Sequence, residues 1–195
     1  MTTTSTTDQE IQSLTQEVME KQAKLNELMR SRSAEPVKDF ELKGEGGASV
    51  RLSEAFGEHR DLIVIHNMGR GCPYCTLWAD GFIGLHPHLL NRAAFVVVSP
   101  DAPEVQKEFA ESRGWPFRML SNADSGFTEA MGYVMEKDGK KQWWPGFSTF
   151  RRKDDGTIER VAHGYFGPGD AYCGIWHLFA ALDGGDGGWG PKLSY

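Results

Sequence analysis

Asp61-Leu62-Ile63-Val64-Ile65-His66-Asn67-Met68-Gly69-Arg70-Gly71-Cys72-Pro73-Tyr74-Cys75 reads as a buried strand, a tight glycine turn and a dithiol at the start of a helix. The consecutive aliphatics Leu62 to Ile65 suit a strand covered on both faces. Gly69 and Gly71 permit an abrupt turn. Pro73 suits a first helical turn, where its missing N–H costs nothing. Cys72 then lies at the helix N-terminus and Cys75 one turn on, along the same side. A free thiol is about 3% ionised at pH 7, and a pKa near about 7 would ionise about half of it. The helix N-terminus favours that charge, and Arg70 is a candidate to add to it, as is His66, which either stabilises the thiolate when protonated or is a hydrogen-bonded strand residue. Two chemistries fit the pair, dithiol redox exchange and zinc ligation.

The rest of the chain supplies the second option. Cys173 and His177 are four apart on an expected last helix, so with Cys72 and Cys75 they would complete a Cys3His zinc set. The bland alternative is a small buried cysteine and an ordinary helix histidine. His86-Pro87-His88 looks like a helix stop rather than a metal handle. Trp78, Trp143 and Trp144 are read as core aromatics or as an apolar rim around the sulfurs. Asp80 is either a proton relay to Cys75 or a solvated helix carboxylate.

Composition narrows the class. The 195 residues suit one domain with appendages, and 39% apolar with 11% aromatic residues can bury a core. A formal charge of −6 and no basic stripe argue against nucleic acid. No apolar run approaches the about 20 residues needed to span a bilayer. Met1-Thr2-Thr3-Thr4-Ser5 lacks the pattern of a secretory signal, so a cytoplasmic location is expected. There, three cysteines do not make a disulfide framework.

Organisation follows from the pattern. Residues 1–38 form a tail, a helix and a linker, 39–182 an α/β domain, and 183–195 a glycine-rich tail. Thr7 and Glu10 have capping-box spacing for a helix from about Asp8. Ile11, Leu14, Val18, Leu25 and Leu28 recur at helical spacing, interrupted by Lys21. That stripe packs either on the domain or on a second copy of the chain, giving a homodimer. Ser33 to Pro36 reads as a linker. A hairpin is expected over Phe40 to Leu52, strands over 61–67, 95–98 and 117–121, and helices from Pro73, over Pro103 to Arg113 capped by Asp101, and over Ser125 to Met131. Phe147 to Phe150 and Ile158 to Ala162 form strands joined through Asp154-Asp155-Gly156. A last helix should start near Gly167 to Asp170.

This order of elements resembles the thioredoxin fold: α/β, with a central mixed sheet flanked by helices and here an N-terminal helical extension. It is most similar to the branch containing thiol-disulfide reductases with an inserted strand–helix unit and the peroxiredoxins. The resemblance runs from about Phe40 to Leu182. The segment Gly71-Cys72-Pro73-Tyr74-Cys75-Thr76-Leu77-Trp78-Ala79-Asp80-Gly81-Phe82, with the N-terminal helix, also resembles a bacterial thioredoxin-like family of unknown function. The resemblance implies that Cys72 attacks and Cys75 resolves, without a bound cofactor, on a protein or small-molecule disulfide or thiol. Pro73, Tyr74 and Trp78 flank the dithiol, and Pro145 would be a cis-proline facing it. A peroxiredoxin would have a proline where Ile65 stands, a threonine or serine at Gly69, and an arginine near Pro145-Gly146, a role left to Arg70 or Arg118. The leading expectation is a thiol-disulfide oxidoreductase. The alternatives are a thiol peroxidase and a non-catalytic interaction protein with inert or zinc-bound cysteines.

Overall fold

A computed structural model describes residues 5–195; the sequence readings for residues 1–4 lie outside it. Helix α1 spans Thr6–Ser31. Its cap is Ser5, not Thr7: the Asp8 N–H donates to the Ser5 hydroxyl while the Asp8 carboxylate accepts from the Ser5 N–H, 3.1 Å each. Strands β1 (Glu35–Val37), β2 (Glu41–Lys43) and β3 (Ser49–Arg51) follow, then helix α2 (Leu52–Ala55) and strand β4 (Asp61–His66). Helices α3 (Pro73–Gly81) and α4 (His86–Arg92) lead to strand β5 (Ala94–Ser99), helix α5 (Pro103–Arg113), strand β6 (Arg118–Ser121) and helix α6 (Phe127–Ala130). Strands β7 (Val134–Lys137), β8 (Lys140–Trp143), β9 (Gly146–Arg152) and β10 (Ile158–Tyr165) precede helix α7 (Ile175–Ala180).

The main sheet has the order β1-β10-β9-β4-β5-β6-β2-β3. β4, β5 and β6 run parallel, and β9 lies antiparallel on the other side of β4. The aliphatic run of β4 is therefore central. Leu62 and Val64 enter one core with Val96, Leu120, Phe127 and Phe150. Ile65 enters the other with Val97, Trp78, Ala79 and Trp115. Helices cover both faces, which is why the strand reads as continuously apolar rather than alternating. This is the thioredoxin-like α/β arrangement.

Several elements differ from expectation for identifiable reasons. Glu35-Pro36-Val37 is not a linker but an edge strand on β10, where a proline is tolerated. Pro87 does not stop a helix; it occupies the first turn of α4, where no N–H is needed. Asp101 does not cap α5, whose cap is Ala102. The β7–β8 hairpin is an additional two-stranded sheet. α7 begins later than expected because the Asp170 carboxylate accepts from the N–H groups of Gly167, Tyr172 and Cys173, holding them in a compact turn. The glycine-rich tail is docked: Trp189 packs on Phe179 with centroids 4.9 Å apart, and Arg113 Nη1 donates to the Leu193 carbonyl at 2.9 Å.

At the join of β8 to β9, a Cβ on Gly146 would lie 2.3 Å from the Gly164 carbonyl oxygen and 2.5 Å from Tyr133 Cε1. The Tyr133 hydroxyl is fixed there between the Phe147 and Gly164 carbonyls. Gly146→Ala should therefore cost about 3 kcal/mol through overpacking, read as a lower urea midpoint. An unchanged midpoint would show that the strand pair can part there at no cost.

Candidate active site around Cys72 and Cys75

The turn between β4 and α3 is built from side chains reaching back to the backbone. The Asn67 N–H donates to the Val98 carbonyl at 2.9 Å, and Asn67 Oδ1 accepts from the Gly69 N–H at 2.7 Å. Asp101 Oδ2 accepts from the Arg70 N–H at 2.8 Å. Gly69 has φ 108°, and a Cβ on it would meet the Asp101 carboxylate at 3.0 Å. The turn therefore selects glycine here on two counts. It delivers Cys72 as the cap of α3, with Pro73 in the first turn.

Cys72 is half-buried and Cys75 is buried, and all three cysteines are free thiols. The Cys75 N–H donates to Cys72 Sγ at 3.1 Å. Hydrogen bonding from the Cys75 thiol, together with the backbone N–H groups of Cys75 and Tyr74, lowers the Cys72 pKa to about 7 against the opposing effect of burial. Cys75 moves the other way. Its hydrogen bond to Cys72, its burial and the Cys72 charge hold it well above the ordinary thiol range, although the Met68 N–H donates to its Sγ at 3.4 Å. One sulfur is thus prepared as thiolate and the other kept as thiol.

The remaining expected site residues separate into those near the dithiol and those elsewhere. Tyr74 and Trp78 sit beside it, their ring centroids 6.3 Å apart. With Met68, Trp143, Trp144 and Phe166 they line a largely apolar cleft of about 600 Å³ that also touches Pro145. The three tryptophans share that one wall, but neither cysteine is among its lining residues; Trp78 is also core. A second cleft, about 550 Å³, lies over α5 and shares no lining residue with the first. Arg118 lines that cleft, so it does not serve the dithiol. Arg70 is exposed and is not among the groups that lower the Cys72 pKa.

Four readings that the sequence offered, three of them as one of two alternatives, do not match the structure. His66 does not stabilise the thiolate as a cation. It is fully buried against Tyr133, centroids 3.9 Å apart, with Nε2 3.0 Å from Ser148 Oγ. Burial, then the charges of Arg160 and His163, hold its pKa well below the usual imidazole value, so it is neutral. The bond preceding Pro145 is trans, since no described peptide is cis. Asp80 relays no proton to Cys75, because its carboxylate accepts from Arg113 Nε at 3.1 Å and Trp115 Nε1 at 2.8 Å. The zinc set is not assembled. Among the described residues no three His, Cys, Asp or Glu side chains gather as a metal site, and Cys173 lies before α7 rather than on its face with His177. Met68 and Phe166 were missed; Met68 is recognisable as the turn residue whose N–H faces the sulfur.

The rate of Cys72 alkylation by iodoacetamide should rise with pH through a midpoint near 7, where the thiol loses its proton. Cys75→Ala removes the largest cause of that depression, so its midpoint should move upward toward the ordinary thiol value of about 8.5. Equal midpoints in the two proteins would mean that the thiol–thiolate bond does not set the acidity.

Comparison with known proteins places this geometry. Residues 5–189 match the family described as "Bacterial protein of unknown function (DUF899)". Peroxiredoxin Bcp of Bacillus subtilis is 31% identical over 124 residues, covering 62% of this chain and 77% of the relative. The crystal structure of peroxidoxin BcpB from Mycobacterium tuberculosis is similar with a TM-score of 0.55 and 27% identity, covering 68% of this chain and 84% of that one. The bacterioferritin comigratory protein of Xanthomonas campestris shares the fold, with a TM-score of 0.53, 22% identity and coverage of 72% and 87%. No helix among the described residues is long and apolar enough to cross a membrane. The chain is of the thioredoxin-like thiol oxidoreductase class, and it belongs to the bacterial DUF899 family within the peroxiredoxin branch of the thioredoxin-like superfamily.

Proposed function

We propose that the chain is a thiol peroxidase that reduces hydroperoxides carrying an apolar substituent. The single observation that carries the reading is the divided acidity of the dithiol, with Cys72 near 7 and Cys75 far above. The sequence relationship to peroxiredoxin Bcp favours this over the thiol-disulfide reductase that the Cys-Pro-Tyr-Cys motif alone suggests. The substrate class is supported by the aromatic cleft that Tyr74 and Trp78 of the dithiol helix help to line, and the X. campestris relative is described with alkyl peroxide reduction activity.

The chemistry follows in two balanced steps. The Cys72 thiolate attacks one peroxide oxygen, forming an S–O bond as the O–O bond breaks. The alkoxide takes up a proton and leaves as the alcohol, and Cys72 becomes a sulfenic acid. Oxidation removes the thiolate charge and the hydrogen-bonded anion that kept Cys75 protonated, so Cys75 becomes more acidic at the moment it is needed. Its sulfur then attacks Cys72, the S–O bond breaks, and water departs as the disulfide forms. An external thiol or dithiol restores the pair by exchange.

Two sequence departures bear on the rate. Gly69 leaves no hydroxyl where peroxiredoxins have one, and Pro145-Gly146 supplies no arginine. Here the N–H groups at the start of α3 provide the stabilisation of the anion. Peroxide activation without that hydroxyl and guanidinium predicts turnover slower than in relatives that have them.

With cumene hydroperoxide, Cys72→Ser should abolish peroxide-dependent oxidation of a reductant. Cys75→Ser should accumulate a sulfenic acid that a dimedone probe labels. Trp144 is 41% exposed, so Trp144→Ala should not unfold the protein. It should raise KM for cumene hydroperoxide about tenfold through lost apolar contact, with little change for hydrogen peroxide. Equal effects on both substrates would remove the cleft from the account, and disulfide reductase activity without peroxide consumption would replace the peroxidase reading.

A further inference from the structure

Helix α1 is 26 residues long and has no buried residue, yet it carries an apolar stripe. Ile11, Leu14, Val18, Leu25 and Leu28 are between 45% and 65% exposed. The helix meets the domain at its C-terminal end, where Arg32 Nη1 lies 3.0 Å from His163 Nε2. A helix of about 39 Å whose apolar face lies in water lacks the packing that normally stabilises helices in proteins.

The stripe is a heptad pattern. Ile11, Val18 and Leu25 occupy one core position, and Leu14, Lys21 and Leu28 the other. Charge is divided along the helix. Asp8, Glu10, Glu17 and Glu20 all precede Lys21, while from Lys21 onward Lys24, Arg30 and the capping Arg32 follow against Glu27 alone. The helix is therefore complementary to itself only when reversed.

We propose that α1 pairs antiparallel with α1 of a second copy, making the chain a twofold dimer. One register satisfies the whole stripe. Ile11 faces Leu28 of the second copy, Leu14 faces Leu25, and Val18 faces Lys21. The break at Lys21 then has a structural role: each lysine lays its alkyl stem along Val18 of the other chain and sends its amine to water. In a parallel pair the two Lys21 side chains would face each other in the seam. Antiparallel pairing also sets Glu17 beside Lys24 of the second copy twice along one flank, whereas a parallel pair aligns Glu17 with Gln22 and gains no ion pair. Twofold closure with a self-complementary patch is the commonest form of soluble oligomer. The proposal is independent of the peroxide chemistry.

Sedimentation velocity of the full chain over a range of protein concentrations tests it. The expected species is a dimer of twice the 21.7 kDa chain mass. Val18→Glu keeps a good helix former at an exposed position and should yield a monomer whose Cys72 alkylation rate is unchanged. Glu17→Lys turns two attractive flank contacts into repulsive ones and should weaken the dimer about tenfold. Adding Lys24→Glu to it should restore the affinity. A monomer at every concentration, or a dimer that survives Val18→Glu, would overturn the proposal. A dimer indifferent to Glu17→Lys would overturn the antiparallel register.

Discussion

Burial of β4 on both faces governs what the chain does after His66. A strand with apolar side chains directed into two cores needs helices on each side, and α3 must begin almost at the strand end to cover one of them. The six residues between them leave room only for a turn stapled by Asn67 and Asp101. The same constraint that closes the core therefore sets the cap of α3, and the cap residue is Cys72. Trp78 and Ala79, one turn beyond Cys75, anchor the helix in that core, so the sulfurs are carried by a rigid element.

The electrostatics of the pair follow from this placement. Cys72 is half-exposed and receives N–H groups; Cys75 is buried one turn deeper. Hydrogen bonding between them lowers one acidity and raises the other. Neither the guanidinium of Arg70 nor the imidazole of His66 is required. His66 belongs to the opposite face of β4, stacked on Tyr133 and Phe127, and contributes packing rather than charge.

The central strands and the dithiol helix were legible because continuous aliphatics, glycines and Pro73 are strong local signals. The face of His66 was also implicit, since residues 62, 64 and 66 alternate together. The β7–β8 hairpin was less visible because charged residues dominate it; its Asp138-Gly139 turn is the available signal. Pro36 hid β1 because a proline after a helix suggests a break. The zinc set failed on a tertiary detail, the turn that Asp170 imposes before α7, which spacing cannot reveal. Trp143 and Trp144 were recognisable as aromatics, but their place in one cleft with Tyr74 and Trp78 depends on the chain path from β8 to β9.

The most direct measurement is single-turnover oxidation of the reduced protein by one equivalent of cumene hydroperoxide, followed by tryptophan fluorescence and closed by peptide mapping. The account predicts one Cys72–Cys75 disulfide per hydroperoxide consumed, formed much faster than free cysteine reacts, with the rate rising through pH 7. Oxidation no faster than free cysteine, or with Cys173 in place of Cys75, would contradict it.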